Sequence, residues 1–262
     1  MLRTIIALMA AWVAFAPSTG SALDLAPTGT LRATFIAGNA VQAVADSATG
    51  EARGPAADIV RELARRNNVP FVMKGVPGVA AVIASIKSGD ADMGFLAYAA
   101  DRAELVDFAR PHLLAQNAYM VLAGSPFQVS AEVDRSGIRV AVTEGDVADL
   151  VLAKSLKNAE LKRNHNPSGA TDLGVSQLLS GEIQAYAASR QRLVEALAKT
   201  PGLRILNDNF YSVRQALVIA KGHPAELEYI NRFLDEARTN GFLRASIERA
   251  AIAGADVASA QQ

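Results

Sequence analysis

The chain has 262 residues, half of them hydrophobic and a fifth charged, with 26 lysines and arginines against 26 aspartates and glutamates. That is ordinary globular composition, in a chain long enough for one large or two ordinary cores. Balanced charge without a basic stripe argues against a nucleic-acid partner, and the lack of cysteine excludes disulfides, thiolate metal sites, a cysteine nucleophile and lipoprotein anchoring.

Residues 1–22 read as a secretory signal peptide. Arg3 gives the positive start, Ile5 to Phe15 the apolar run, and Pro17 to Ala22 a small-residue cleavage region. The run is shorter than the roughly 20 residues that cross a bilayer. No second run is long enough to span, so the expected mature protein is soluble and periplasmic.

The remainder alternates strands and helices. Thr30 to Ile36 reads as a buried strand, and Ala37 to Arg53 as a small, polar loop. Gly54-Pro55 opens a helix with Ala56, Ile59, Val60, Leu63 and Ala64 on one face. Pro70 to Lys74 is a second strand. Val79, Val82, Ile83 and Ile86 mark a second helix, closed by Gly89. Met93 to Ala97 is a third strand. This order implies a parallel sheet with right-handed crossovers.

A second unit starts near Gln116, with strands at Tyr119 to Leu122 and Ile138 to Val142. A helix through Val147, Leu150 and Val151 follows, then a short strand at Leu161 to Arg163 and a loop from His165 to Gly169. Next come a helix ending at Gly181, a strand at Ile183 to Ala188, a helix at Leu193 to Leu197 and a strand at Leu203 to Leu206. Val213 to Ala220 is one more strand. Helices around Leu227 to Ala237 and Leu243 to Ile247 close the order, and Ala253 to Gln262 reads as a disordered tail.

The residues 89–111, GDADMGFLAYAADRAELVDFARP, organise the rest. Arg102 lies just past the carboxyl end of a buried strand. Its planar fork of donors suits a carboxylate; the competing reading is a surface pair with Asp101 or Glu104. The string resembles the signature of the extracellular solute-binding proteins, family 3, which serve ABC importers. Gly89, Asp92, Arg102, Val106, Asp107, Phe108 and Pro111 carry the resemblance, which extends over about residues 29–250. It implies that Arg102 holds the ligand's α-carboxylate. The departures are a shorter loop, Ala97, Ala99 and Ala100 in place of hydroxyl residues, Ala109 in place of Ser, and His112 in place of Tyr.

The resemblance further implies an α/β fold of two lobes, the type II periplasmic-binding-protein architecture. Each lobe is a mostly parallel sheet flanked by helices, and two hinge crossings join them. The first lobe would comprise residues 23–115 and 210–252, the second 116–209, with 253–262 the tail. The implied partners are a small-molecule ligand, an inner-membrane ABC permease and its ATPase. The protein is expected to act as a monomer, without cofactor or metal.

Ligands in open α/β sheets bind beyond the carboxyl ends of strands. That rule selects Gly38 and Asn39, then Phe95, Tyr98 and Arg102, then Glu144, Gly145, Asp146 and Val147, and finally Ser189 and Arg190. Each has a plainer reading: a turn for Asn39, core packing for Phe95 and Tyr98, a helix N-cap for Asp146. In amino-acid binders of the family an acidic residue at about Ser189 holds the ligand's ammonium. Its loss leaves two branches, a zwitterion with Glu144 or Asp146 as the substitute, or an organic acid without ammonium. The rival function is an enzyme like the periplasmic cyclohexadienyl dehydratases, with Glu144 as the acid. No nucleophile elbow, phosphate loop or zinc motif supports it, and His112, His165 and His223 lack paired ligand spacing. A sensor domain feeding a membrane kinase would need a spanning segment.

Overall fold

The computed structural model describes residues 24–46, 49–165 and 171–259. The expected signal peptide lies outside them, as does most of the loop from His165 to Gly169.

The first lobe opens with β1 (Leu31–Ile36), a short pair β2 (Val44–Ala45) and β3 (Ala52–Arg53), α1 (Pro55–Arg66), β4 (Phe71–Val76), α2 (Val79–Lys87), β5 (Met93–Ala97), α3 (Ala100–Ala103) and β6 (Asp107–Phe108). The stretch expected as plain loop between Ala37 and Arg53 thus contains the β2–β3 pair. Next come β7 (Leu113–Leu122), β8 (Arg139–Thr143), α4 (Val147–Ser155), β9 (Glu160–Asn164), α5 (Asp172–Leu179), β10 (Ala185–Ser189), α6 (Arg190–Leu197) and β11 (Leu203–Ile205). The chain ends with β12 (Tyr211–Ile219), α7 (Pro224–Thr239), α8 (Phe242–Arg249) and β13 (Ala255–Val257).

A single sheet runs through both lobes in the order β4-β1-β5-β12-β7-β10-β8-β9. The β1–β4, β1–β5, β8–β9 and β8–β10 pairings are parallel, as alternating strands and helices require. The join is antiparallel: Leu113 to Asn117 of β7 pair with Gln215 back to Tyr211 of β12. Each of these strands then continues into one lobe. β12 runs on beside β5, Gln215 opposite Ala97, and β7 runs on beside β10, Asn117 opposite Ser189. This register brings the carboxyl ends of β5 and β10 to the same short ladder from opposite sides, so the loops after both strands meet there.

Separate cores hold the lobes. In the first, α1 and α7 lay Ile59, Leu63, Ile230, Phe233 and Leu234 on one sheet face, against Leu31, Met93 and Phe95. α2 covers the other face with Val82, Ile83 and Ile86. Each large apolar side chain buried this way contributes about 1.5–3 kcal/mol. Gly94 is the close-approach point, since a Cβ there would come within 2.6 Å of Val82 Cγ1. In the second lobe, α5 and α6 pack Leu178 and Leu193 on Tyr186 and Met120, while α4 packs Leu152 on Val140, Val142 and Tyr119.

The expected disordered tail needs correction. Ala255–Val257 form β13, which pairs antiparallel with Leu113 to Ala115 of β7. The Gln116 N–H donates to the Gly254 carbonyl at 2.8 Å, and Arg238 Nε donates to the Ala258 carbonyl at 2.8 Å. Ala258 is fully buried. Small residues give no periodic signal, but here the partner edge supplies the order. Gly254, at φ +70, lies so close to Arg190 that a Cβ would meet its side chain at 2.5 Å.

Candidate functional site

Between the lobes, beside the β7–β12 ladder, lies a cleft of about 570 Å³. The turn after β1, from Ile36 to Val41, forms one wall with Ala97 and Arg102. The other wall comprises Gly145 to Ala148 at the start of α4, and Ser189, Gln191, Arg192 and Glu195 along α6. Asn117, Val213 and Gln215 form the floor.

Arg102 projects from α3. Its Nη1 donates to the Ala97 carbonyl at 2.8 Å. The Asp101 carboxylate takes the Arg102 main-chain N–H instead, at 2.9 Å. Among the described residues no carboxylate pairs with the guanidinium, so the surface-pair reading does not apply. A neutral carbonyl orients the fork and leaves its charge uncompensated.

The other first-lobe candidates divide. Asn39 closes the turn, its carbonyl accepting the Gln42 N–H at 3.0 Å, and it lines the cleft beside Gly38. Phe95 does not reach the cleft. It is fully buried and meets His112 edge-on at 5.6 Å, because alternation along β5 turns it into the α1–α7 core. Tyr98 is also outside the lining. Its ring packs edge-on against Phe108 at 5.2 Å and carries the Arg214 guanidinium at 4.4 Å.

In the second lobe Gly145, Asp146 and Ser189 line the cleft, and Glu144 and Arg190 do not. Glu144 is exposed and bonds His165 Nδ1 at 3.0 Å, so the residue named as a catalytic acid or an ammonium partner stands off the cavity. Arg190 turns toward the segment entering β12. Its Nη2 donates to the carbonyls of Leu206 at 3.0 Å and Asp208 at 2.7 Å, and to Asn209 Oδ1 at 2.8 Å. Burial pulls its pKa below the ordinary arginine value. Asp146 occupies the N-cap position of α4 but makes no side-chain cap bond. Its carboxylate pairs with Arg192 of α6.

Sequence reasoning missed Gln42, Gln191, Arg192, Glu195 and Gln215. Gln42 is buried behind the cleft. Its Oε1 accepts the Ile36 N–H at 3.2 Å, and its Nε2 donates to Gln215 Oε1 at 3.1 Å, which ties the β1 turn to the ladder. That bond spans distant parts of the chain, and no local pattern announces it. The α6 residues had a usable signal. Gln191, Arg192 and Glu195 share the polar face at helical spacing, opposite Leu193 and Ala196.

The comparisons with known proteins agree with this architecture. The family model described as bacterial extracellular solute-binding proteins, family 3, matches residues 37–250. A "Probable histidine-binding protein" of Campylobacter jejuni is 26% identical over 200 residues, 73% of this chain and 74% of that one. The virulence sensor protein BvgS of Bordetella bronchiseptica is 25% identical over 193 residues, 69% of this chain but only 14% of the sensor. Among solved structures, a binding component of an ABC transporter from Wolinella succinogenes, complexed with lysine, superposes with TM-score 0.66 at 21% identity, covering 85% of this chain and 95% of that one. An amino acid ABC transporter substrate-binding protein from Streptococcus pneumoniae, bound to L-arginine, gives TM-score 0.60 at 19% identity, over 85% and 94%. An ancestral amino acid-binding protein described as a precursor of cyclohexadienyl dehydratase gives 0.61 at 20%, over 84% and 94%. These structural likenesses establish the two-lobe type II fold. With the family model covering most of its length, the chain belongs to the bacterial extracellular solute-binding proteins, family 3.

Proposed function

We propose that this protein captures a small carboxylate-bearing metabolite, an amino acid or organic acid, between its lobes in the periplasm and hands it to an ABC importer. The observation that carries this reading is the Arg102 guanidinium, oriented by a neutral carbonyl and facing a cleft lined by both lobes. A histidine-binding relative and neighbours holding lysine and arginine support it. On this reading residues 23–115 with 210–252 act as one body and 116–209 as the other, bending where β7 and β12 cross. Closure is favoured because a ligand touches both walls only when the lobes are shut.

Isothermal titration with the standard amino acids and a panel of mono- and dicarboxylic acids tests the proposal. The expected result is one tight ligand, weakened about tenfold or more by Arg102→Ala. Equal binding by the variant would discard the role given to Arg102. Mass spectrometry of whatever co-purifies with the native protein would name the ligand directly.

A further inference from the structure

Four charged residues line the cleft: Arg102, Asp146, Arg192 and Glu195. Asp146 and Arg192 pair with each other across the second-lobe wall. What remains is one cation on the first lobe and one anion on the second. Glu195 makes no ion pair among the described residues. It accepts instead a neutral hydrogen bond from Gln191 Nε2 at 2.8 Å.

Gln191 is itself held from outside the lobe. Its Oε1 accepts the main-chain N–H of Ala253 at 2.7 Å, just ahead of β13. The segment leading into β13 therefore orients Gln191, and Gln191 orients Glu195. This repeats the Arg102 arrangement with the sign reversed, a charge directed by a neutral partner and left uncompensated. Closing the lobes over an unmatched charge is costly, so each end of the ligand must answer the wall it meets.

We infer that Glu195, positioned through Gln191 by the chain at Ala253, is the cation-holding residue of the second wall, and that the ligand is a zwitterion. The inference rests on the carboxylate role given to Arg102. It places the ligand's cationic group against α6, further along the helix than Ser189, and assigns no ammonium to Asp146 or Glu144.

The test uses wild type, Glu195→Gln, Gln191→Leu and Arg102→Gln, with thermal melts confirming that each is folded. The probes are the standard amino acids, each titrated singly, and for the tightest one its deaminated counterpart, which keeps the carboxylate and lacks the ammonium, and any side-chain analogue lacking a second cation. Glu195→Gln should weaken the best amino acid about tenfold or more while leaving unchanged the analogue that lacks the cation Glu195 holds. Gln191→Leu should give a smaller loss with the same selectivity. Arg102→Gln should weaken amino acid and analogues alike. If Arg102→Gln weakens binding and Glu195→Gln leaves the amino acid unchanged, this inference falls and the carboxylate role stands. If simple acids bind and no amino acid does, the zwitterion is overturned. If Arg102→Gln changes nothing, the role of Arg102 fails first.

Discussion

On the first lobe, Arg102 is anchored by a main-chain carbonyl; on the second, Arg192 is anchored by the carboxylate of Asp146. Two guanidiniums line one cleft, yet they present different fields to a ligand. The carbonyl fixes direction and leaves the charge available. The carboxylate fixes direction and cancels it. An arginine in a pocket is thus informative only together with what holds it.

The largest expected effect tests the frame behind the first wall. Phe95→Ala should destabilise the protein by about 3–5 kcal/mol in denaturant titrations, because the ring is fully buried in the α1–α7 core on the strand that leads to Arg102. A smaller loss would show that the first wall does not stand on that ring. Next comes the charge itself. Arg102→Ala should remove about 1.5–3 kcal/mol of ligand binding by calorimetry, whereas the same change at the self-neutralised Arg192 should cost less. Equal losses would erase the contrast between the walls.

The third prediction concerns pH and the ladder from which both walls spring. His112 is completely buried, with neither ring nitrogen bonded among the described residues. Burial, aided by the Arg238 charge, lowers its pKa from 6.5 to about 3. Below pH 6.5 the unfolded ring takes up a proton that the folded ring refuses. This contribution is therefore complete above 6.5 and declines as pH falls toward 3, by at most about 1.4 kcal/mol per pH unit. His112→Phe should flatten that part of the stability profile; an unchanged slope would assign it to other groups. The two smallest effects return to the walls. Asp146→Asn should free Arg192 and tighten simple carboxylates by a few-fold, roughly the worth of a half-exposed ion pair. Tyr98→Ala should leave affinity within about twofold, since its ring faces Phe108 and Arg214.

What the sequence made legible was local. Helix faces such as Ile59-Val60-Leu63, strand runs such as Met93 to Ala97, and the place of Arg102 at a strand's carboxyl end all follow from periodicity and punctuation within a short window. The family likeness added the two-lobe fold. Less legible were the features made by distant partners: the Gln42–Gln215 bond, the Asp146–Arg192 pair, and β13 on the edge of β7. Phe95 and Arg190 show the same limit in reverse. Each sits in a loop or strand end of the right kind, but alternation sends the first into the core and the carbonyls of residues 206–208 claim the second.

The position of β13 has a consequence for how the chain matures. Residues from the middle of β7 to β11 form a contiguous block in which β8, β9, β10 and β11 have all their strand partners at hand once residue 205 or so has emerged. The other half waits for β12, α7 and finally Ala258, the last buried residue of the described chain. Pulse-labelled hydrogen exchange during refolding should therefore protect β8 and β10 before β1 and β5, with the amides of Leu113 to Gln116 closing last.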